Sequence, residues 1–464
     1  MDKGRKPRWS GRGVAGGLIR MIAEVTKEKS VYASAFRLLA EKIRGNEPVW
    51  TKRLREESFE RFEELGFPTT FDEEWKYTNI ASIAKRQFEP AFAQNSYAPE
   101  SSALEPFLYR EAEGSRLVFV NGIYNPALSS IEALPDGVVA ENLSDALRGE
   151  HAEIVREKLA RKGPYSENGL TALNTAFVSE GAFLLIPKGV RVESPVHLLF
   201  LSAPQSSPAV SFPRVLIVAQ PQSEATVIES YASTNEAPYW TNSVVEVVLE
   251  GGARLEHYKV QRESLRAFHT ATTHVELEQA SIFDTTTMTF GAELSRHNIN
   301  VLMKAPGAEC HVDGLYLVGD GQHTDTHSLI DHARPHCTSR QLYKGILDGK
   351  SRAVFNGKVF VREGALQTDA QQTNRNLLLS NEARVDTKPQ LEIFADDVKC
   401  AHGATVGQLE EEELFYLISR GLRRELAQNL LTYGFAEEVI NKIKVESIKA
   451  QLDEVVLNRL HAKL

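Results

Sequence analysis

Four short stretches decide the fold of this 464-residue chain: Gln222-Ser223-Glu224-Ala225-Thr226-Val227, Glu250-Gly251-Gly252-Ala253-Arg254-Leu255, Glu278-Gln279-Ala280-Ser281-Ile282-Phe283 and Pro306-Gly307-Ala308-Glu309-Cys310-His311. Each joins one strand-like run to the next through a small bend. The alanines at 225, 253, 280 and 308 are separated by 28, 27 and 28 residues. A fixed period of this size marks stacked supersecondary units. Short strands joined by small bends predict a β-solenoid, each turn lying on the one before. The competing reading is the hairpin rhythm of an ordinary β-sandwich. Later bends at Gly364-Ala365 and Glu382-Ala383 keep the chemistry but lose the spacing.

Working outward, short β-branched runs such as Leu117-Val118-Phe119-Val120, Arg214–Val218 and Val244–Leu249 alternate with small-residue turns to about residue 405. Weak helical patterns at 143–160 and 169–179 are too few for a βαβ sheet. Before this region, residues 31–65 read as helix. Phe36, Leu39 and Ile43 recur at helical spacing, and Leu54, Phe59, Phe62 and Leu65 mark a second helix that Gly66-Phe67-Pro68 stops. A stretch rich in Ser, Ala and Pro near 94–106 reads as a linker. After Gln408 the pattern returns to helix. Glu410–Glu413 supply a negative first turn, and Leu414, Leu417, Ile418, Leu422 and Leu426 an apolar face. Gly421 reads as a break and Gly434 as a C-cap. A final helix carries Ile448, Leu452, Val455, Val456 and Leu460 on one side. The expected domains are a basic, disordered leader over 1–20, an N-terminal helical domain over 21–108, a β-helix core over 109–405 and a C-terminal helical domain over 406–464.

Composition narrows the function classes. A net charge of −9 with no basic domain argues against a nucleic-acid binder. No run approaches the length of a membrane span. Three cysteines in so long a chain, Cys310, Cys337 and Cys400, form no disulfide framework and fit a reducing compartment, so a cytoplasmic location is expected. The leader carries Lys3, Arg5, Lys6, Arg8, Arg12 and Arg20 against Asp2, but its apolar piece Val14–Ile19 is too short and Gly-rich for a secretory signal. An organelle transit peptide is the weaker reading, and Met21 is an alternative start.

The chemistry concentrates at Asp396-Asp397-Val398-Lys399-Cys400-Ala401-His402-Gly403-Ala404-Thr405. Thiol and imidazole are soft-metal ligands, and positions two apart on a strand face the same side. Cys400 and His402 are therefore candidate ligands. The plain alternative is a buried thiol beside a hydrogen-bonded imidazole, since free Cys packs as a small hydrophobe. Two ligands fall short of a closed four-coordinate site, so a functional pair must be half of a shared one. The segment His323–Cys337 holds four His and one Cys, but its spacing matches no zinc template, and lining one face of the solenoid is the stronger reading. Gly345-Ile346-Leu347-Asp348-Gly349-Lys350-Ser351 is one residue short of a phosphate loop and lacks a following helix, so no nucleotide site is expected. No Gly-x-Ser-x-Gly elbow is present.

Taken together, the chain resembles the SufB/SufD family of iron–sulfur cluster assembly proteins, and within it most closely the SufD pattern. The resemblance rests on Asp72–Thr78, Phe119–Gly122, Ala172–Phe177, Asp331–Ser339, Phe355–Val359, Gln371–Asn374, Pro389–Ile393 running into Asp396–Thr405, and Phe415–Gly421. It covers roughly residues 30 to 445. SufB-type chains carry a Cys-Glu-His-Glu-like sequence where this chain has Cys400-Ala401-His402-Gly403.

The resemblance implies a mainly β fold, a right-handed parallel β-helix core flanked by N-terminal and C-terminal α-helical domains. It implies a non-catalytic scaffold in a complex of one SufB, one SufD and two copies of the ATPase SufC. SufB is expected to pair through the β-helix edges, and SufC to dock on the C-terminal helices. The expected cargo is a transient iron–sulfur cluster shared with SufB, with His402 facing a SufB cysteine and Cys400 beside it. The alternatives are a SufB-like scaffold, or a structural partner that supplies no ligand. A homodimer in isolation stays open. A β-helix polysaccharide lyase, which is usually exported, is the remaining rival and is disfavoured by the lack of a secretory signal.

Overall fold

From Gly181 onward, apart from the short strand Ala209–Ser211 added to sheet one, successive strands alternate between two parallel sheets. The computed structural model describes residues 31–93, 99–160, 167–204, 208–319 and 321–461. Sheet one stacks Gly181–Ile186, Arg214–Ala219, Tyr239–Leu249, Phe268–Leu277, Leu294–Met303, His323–His332, Arg352–Val361 and Arg384–Ile393. Sheet two stacks Val196–Ser202, Glu224–Ser233, Arg254–Arg262, Ile282–Thr289, Glu309–Val318, Thr338–Leu347, Asp369–Leu378 and Lys399–Gly407. Each turn takes one strand from each sheet, so the fold is a parallel β-solenoid with helices at both ends, as the repeating bends predict.

The register corrects the expected repeat. Glu224, Arg254, Ile282, Glu309, Thr338, Asp369 and Lys399 lie opposite one another in turn, so the true step varies from 27 to 31 residues. Of the four alanines only Ala253 and Ala308 are equivalent. The equivalent corner residues are Ser223, Ala253, Ser281, Ala308, Cys337 and Thr368, each small and buried. The residue before each of them turns the chain at positive φ: Gln222, Gly252, Ala280, Gly307, His336 and Gln367. For a non-glycine residue that conformation costs roughly 1–2 kcal/mol. Here it is held by a ladder between turns, in which Gln222 N donates to Gly251 O, Gly252 N to Gln279 O and Ala280 N to Pro306 O, at 2.8–3.1 Å. The bend at Glu382–Ala383 precedes Arg384 and so belongs to the opposite corner, which is why it falls out of step.

The start of the solenoid is closed. Val139–Asn142 pairs antiparallel with Gly181–Ile186, and Arg116–Val120 lies parallel to Val196–Ser202. The helix Val49–Leu65, ended at Gly66 (φ 66°), packs beside the helix Gly169–Ala176. Asn174 fastens that second helix to sheet one, its Nδ2 donating to Pro213 O at 2.9 Å and Asn242 O at 2.8 Å.

Two segments depart from expectation. Residues 101–107 of the supposed linker form a 3-10 helix with Leu104 buried, while 94–98 and the leader over 1–20 lie outside the described residues. Gly434 caps nothing, for it sits inside the helix Arg424–Ile440. Burial of Ala436, Val439 and Ile440 against sheet two carries the helix through it. Gly421, at φ 94°, does break the tail between Glu411–Ser419 and Arg424–Ile440.

The C-terminal helices cover the outer face of sheet two. Val439, Ile440, Ile448, Leu452 and Val456 pack on Ile228, Tyr258, Met288, Leu315 and Ile346. Lys442 Nζ meets Asp313 at 2.7 Å, and Lys344 Nζ donates to Phe435 O at 2.9 Å. Inside the middle turns the apolar core also holds an ionic cluster. Glu229, His257 and Lys259 are each no more than 2% exposed; Lys259 Nζ and His257 Nε2 each lie 3.0 Å from a different Glu229 oxygen. Among the described residues, no helix is long and apolar enough to cross a membrane.

Candidate functional site

The far end of the solenoid is open. Lys399–Gly407 is the outermost strand of sheet two and Arg384–Ile393 that of sheet one; among the described residues neither has a further neighbour. Lys399–Gly407 is rich in Gly and Ala, poor strand formers. Its conformation comes from pairing with Asp369–Leu378, residue for residue from Asp369–Lys399 to Leu377–Gly407.

That register places the two candidate ligands. Cys400 continues the inward row Ala225, Leu255, Phe283, Cys310, Ser339 and Ala370. His402 continues Val227, His257, Thr285, Val312, Gln341 and Gln372. Lower in the stack these positions are core. At the last turn no further strand among the described residues lies above them, and Cys400 is half-buried and His402 exposed. The side shared by the pair is thus the inward side, turned outward by the end of the coil.

Cys400 packs with Val359, Val361, Ala365, Ala370 and Leu391. Burial pushes its thiol pKa up, so the thiol keeps its proton more firmly than a free cysteine. Thiol and imidazole suit iron as well as zinc. Two donors are half of a tetrahedral set, and among the described residues no group of three or more His, Cys, Asp or Glu is arranged to hold a metal ion. Ile393, Phe394 and Val406 expose apolar surface at the same end, Phe394 by 61%.

The His323–Cys337 segment does not converge. His323 Nε2 lies 2.9 Å from Thr78 Oγ1, and His327 Nδ1 lies 3.0 Å from Glu74. Both face out of sheet one, whereas His332 points inward to Ser339 Oγ at 2.9 Å and Cys337 fills a corner. His323 and His327 anchor the Asp72–Thr78 segment. Arg296 is its centre, ion-paired to Asp325 at 2.6 Å, donating to Glu74 O at 2.9 Å and stacked over Trp75 at 4.3 Å. Burial alone would raise the Asp325 pKa, but Arg296 and His327 outweigh it and hold the carboxyl well below the usual range. Gly345–Ser351 runs from a strand into a corner and on into Arg352–Val361, with no helix after it.

A second exposed surface lies on Glu411–Ser419. Leu414 is buried beneath it, but Phe415 and Tyr416 are 72% and 56% exposed, with Leu426 and Leu430 on the next helix also exposed. Sequence reading missed the buried ionic cluster, because Glu, Lys and His on an alternating strand look like solvent-facing residues until the partner strand is known.

A β-solenoid with helical flanks, closed at its start and open at its end, is the class that this fold defines. Comparison with known proteins makes it particular. The family model described as SUF system FeS cluster assembly, SufBD core domain, matches residues 200–435, and that of the SufBD protein N-terminal region matches residues 26–198. An iron–sulfur cluster assembly SufBD family protein of Synechocystis is 38% identical over 84% of this chain and 87% of its own. The iron–sulfur cluster assembly protein SufD of Escherichia coli is 34% identical over 83% and 88%. The corresponding SufB of Bacillus subtilis is 27% identical over 86% and 87%. The chain belongs to the SufBD family of iron–sulfur cluster assembly proteins.

Proposed function

We propose that this chain is the SufD-type member of a Suf complex, a cytoplasmic scaffold without catalysis of its own. It pairs with a SufB chain through its open last coil and presents His402 to the cluster assembled between them. The observation that carries the reading is the unfinished solenoid end, where an incomplete donor pair lies on one of two terminal strands that have no further neighbour among the described residues. Free edges of this kind invite strand addition, and the exposed Ile393, Phe394 and Val406 supply apolar area for it. The 34% identity to a SufD, against 27% to a SufB, supports the SufD assignment over the SufB-like one. His402 is the ligand of this half-site; the packing and raised pKa of Cys400 favour a structural role for the thiol.

Phe415 and Tyr416, on a helix whose other side is anchored by Leu414, form the surface for the ATPase SufC. Nucleotide-driven movement of that subunit reaches the solenoid through the helices packed on sheet two. This is a ligand biasing a two-state assembly. The test is co-expression with the matching SufB and SufC. A stable complex of one SufB, one copy of this chain and two SufC supports the reading. Failure to bind SufB through a last coil carrying Phe394→Asp, with SufC binding intact, supports the edge as the pairing surface. Unchanged pairing in that variant refutes it.

A further inference from the structure

Beneath His402 lies an oriented chain of amides that ends in an unpaired acceptor. Ser328, Gln341 and Gln372 are buried inside the last turns, with Gln372 only 1% exposed. Gln341 Nε2 donates to Ser328 Oγ at 2.9 Å, and Gln372 Nε2 donates to Gln341 Oε1 at 2.8 Å. With its amide nitrogen committed, Gln372 is left with Oε1, which has no hydrogen-bond partner. A buried carbonyl oxygen without a donor is unfavourable. Gly357 leaves room for this amide, since a Cβ there would collide with it. The position that follows Gln372 in the same inward row is His402, whose ring is exposed and so free to turn.

We propose that Gln372 is a positioning residue for His402: its free Oε1 accepts one ring N–H of His402 and leaves the other ring nitrogen with its lone pair directed out of the open end. Neutral imidazole has one donor nitrogen and one acceptor nitrogen. Fixing the donor therefore fixes the ligand. Metal-binding histidines are commonly oriented by such a carbonyl or carboxylate on the second nitrogen. The inference rests on the reading of His402 as a cluster ligand. The hydrogen bond itself is independent of any cluster and is testable on the chain alone.

The experiment is a long-range ¹⁵N–¹H correlation of the full-length, ¹⁵N-histidine-labelled protein at alkaline pH, with His402 assigned by its loss in His402→Gln. Wild type should show one dominant tautomer. Gln372→Met, which removes the acceptor but keeps the length, should shift the tautomer ratio by roughly threefold or more, and Gln372→Glu should restore it. Gln341→Met, which removes the acceptor that anchors the Gln372 amide but leaves Gln372 itself in the chain, provides the same loss if Gln372→Met fails to fold. An identical ratio in wild type and both Met variants overturns the hydrogen bond. In the assembled complex, Gln372→Met should lower cluster occupancy and Gln372→Glu recover it. If His402→Ala lowers occupancy while Gln372→Met does not, the ligand reading stands and the positioning role falls. If His402→Ala changes nothing, the ligand reading falls whatever the tautomer shows.

Discussion

Replacing Glu229 with Gln removes the only carboxylate within ion-pair reach of Lys259 among the described residues, in the middle of the solenoid. Lys259 Nζ is 3.0 Å from Glu229 and 4.4 Å from the centre of the Tyr231 ring, and is 1% exposed. Removing one member of a buried pair strands the other charge and costs about 3–5 kcal/mol. The Tyr231 ring returns roughly 1–2 kcal/mol of that by cation–π attraction, but it does so in the wild type too and therefore cancels. With a urea slope of about 3 kcal/mol/M, Glu229→Gln should lower the unfolding midpoint by roughly 1 to 1.7 M. Lys259→Met should do about the same, because it strands the carboxylate that the ammonium and His257 hold well below its usual range against the opposing pull of burial. The double variant buries two neutral groups of similar shape and should sit within about 1 kcal/mol of wild type. Urea titration of all four proteins, followed by far-ultraviolet circular dichroism, closes the cycle. Two mild single variants and an additive double would mean that the interior is wet and the charges are not desolvated, and the argument would fail.

Arg296→Met should free the Asp72–Thr78 segment and leave Asp325 buried without its cation, at about 3–5 kcal/mol; faster amide exchange at residues 73–78 checks this, and unchanged protection refutes it. Acid should destabilise the fold below about pH 6.5. Burial holds the His332 pKa down to about 4, so between these values the unfolded chain binds a proton that the native one does not. Its contribution is complete above the unfolded pKa and falls by about 1.4 kcal/mol per pH unit toward pH 4. His332→Gln should flatten the slope of urea midpoint against pH, and a slope equal to wild type would contradict the assignment. Phe415→Ser with Tyr416→Ser should abolish capture of SufC while leaving the unfolding free energy within about 0.5 kcal/mol, because both rings are exposed; retained capture would move the ATPase surface elsewhere.

Much of this architecture was legible in the sequence because a solenoid writes its topology as a repeat. The small corner residues and alternating strands recur whatever the side chains between them do. The true step was blurred because turns of 27 to 31 residues put alanine at different corner positions. Gly434 misled because propensity is weaker than burial, and the apolar face of Arg424–Ile440 decided the helix. Cys400 and His402 were findable as a same-side pair. That their side is the inward one, and that Gln372 lies beneath, needed the register between strands far apart in sequence. The His323–Cys337 segment, whose spacing reads as the lining of one solenoid face, separates into two faces and a corner in three dimensions.

The central claim is that His402 completes a cluster site that a second chain begins. The most direct measurement is the iron, sulfide and visible absorption of the anaerobically co-expressed complex with SufB and SufC, wild type beside His402→Ala. The account predicts an unchanged one-to-two-to-one assembly of SufB, SufC and this chain whose cluster signal drops sharply in the variant. An intact complex with an undiminished signal would contradict it and leave this chain as scaffold geometry alone.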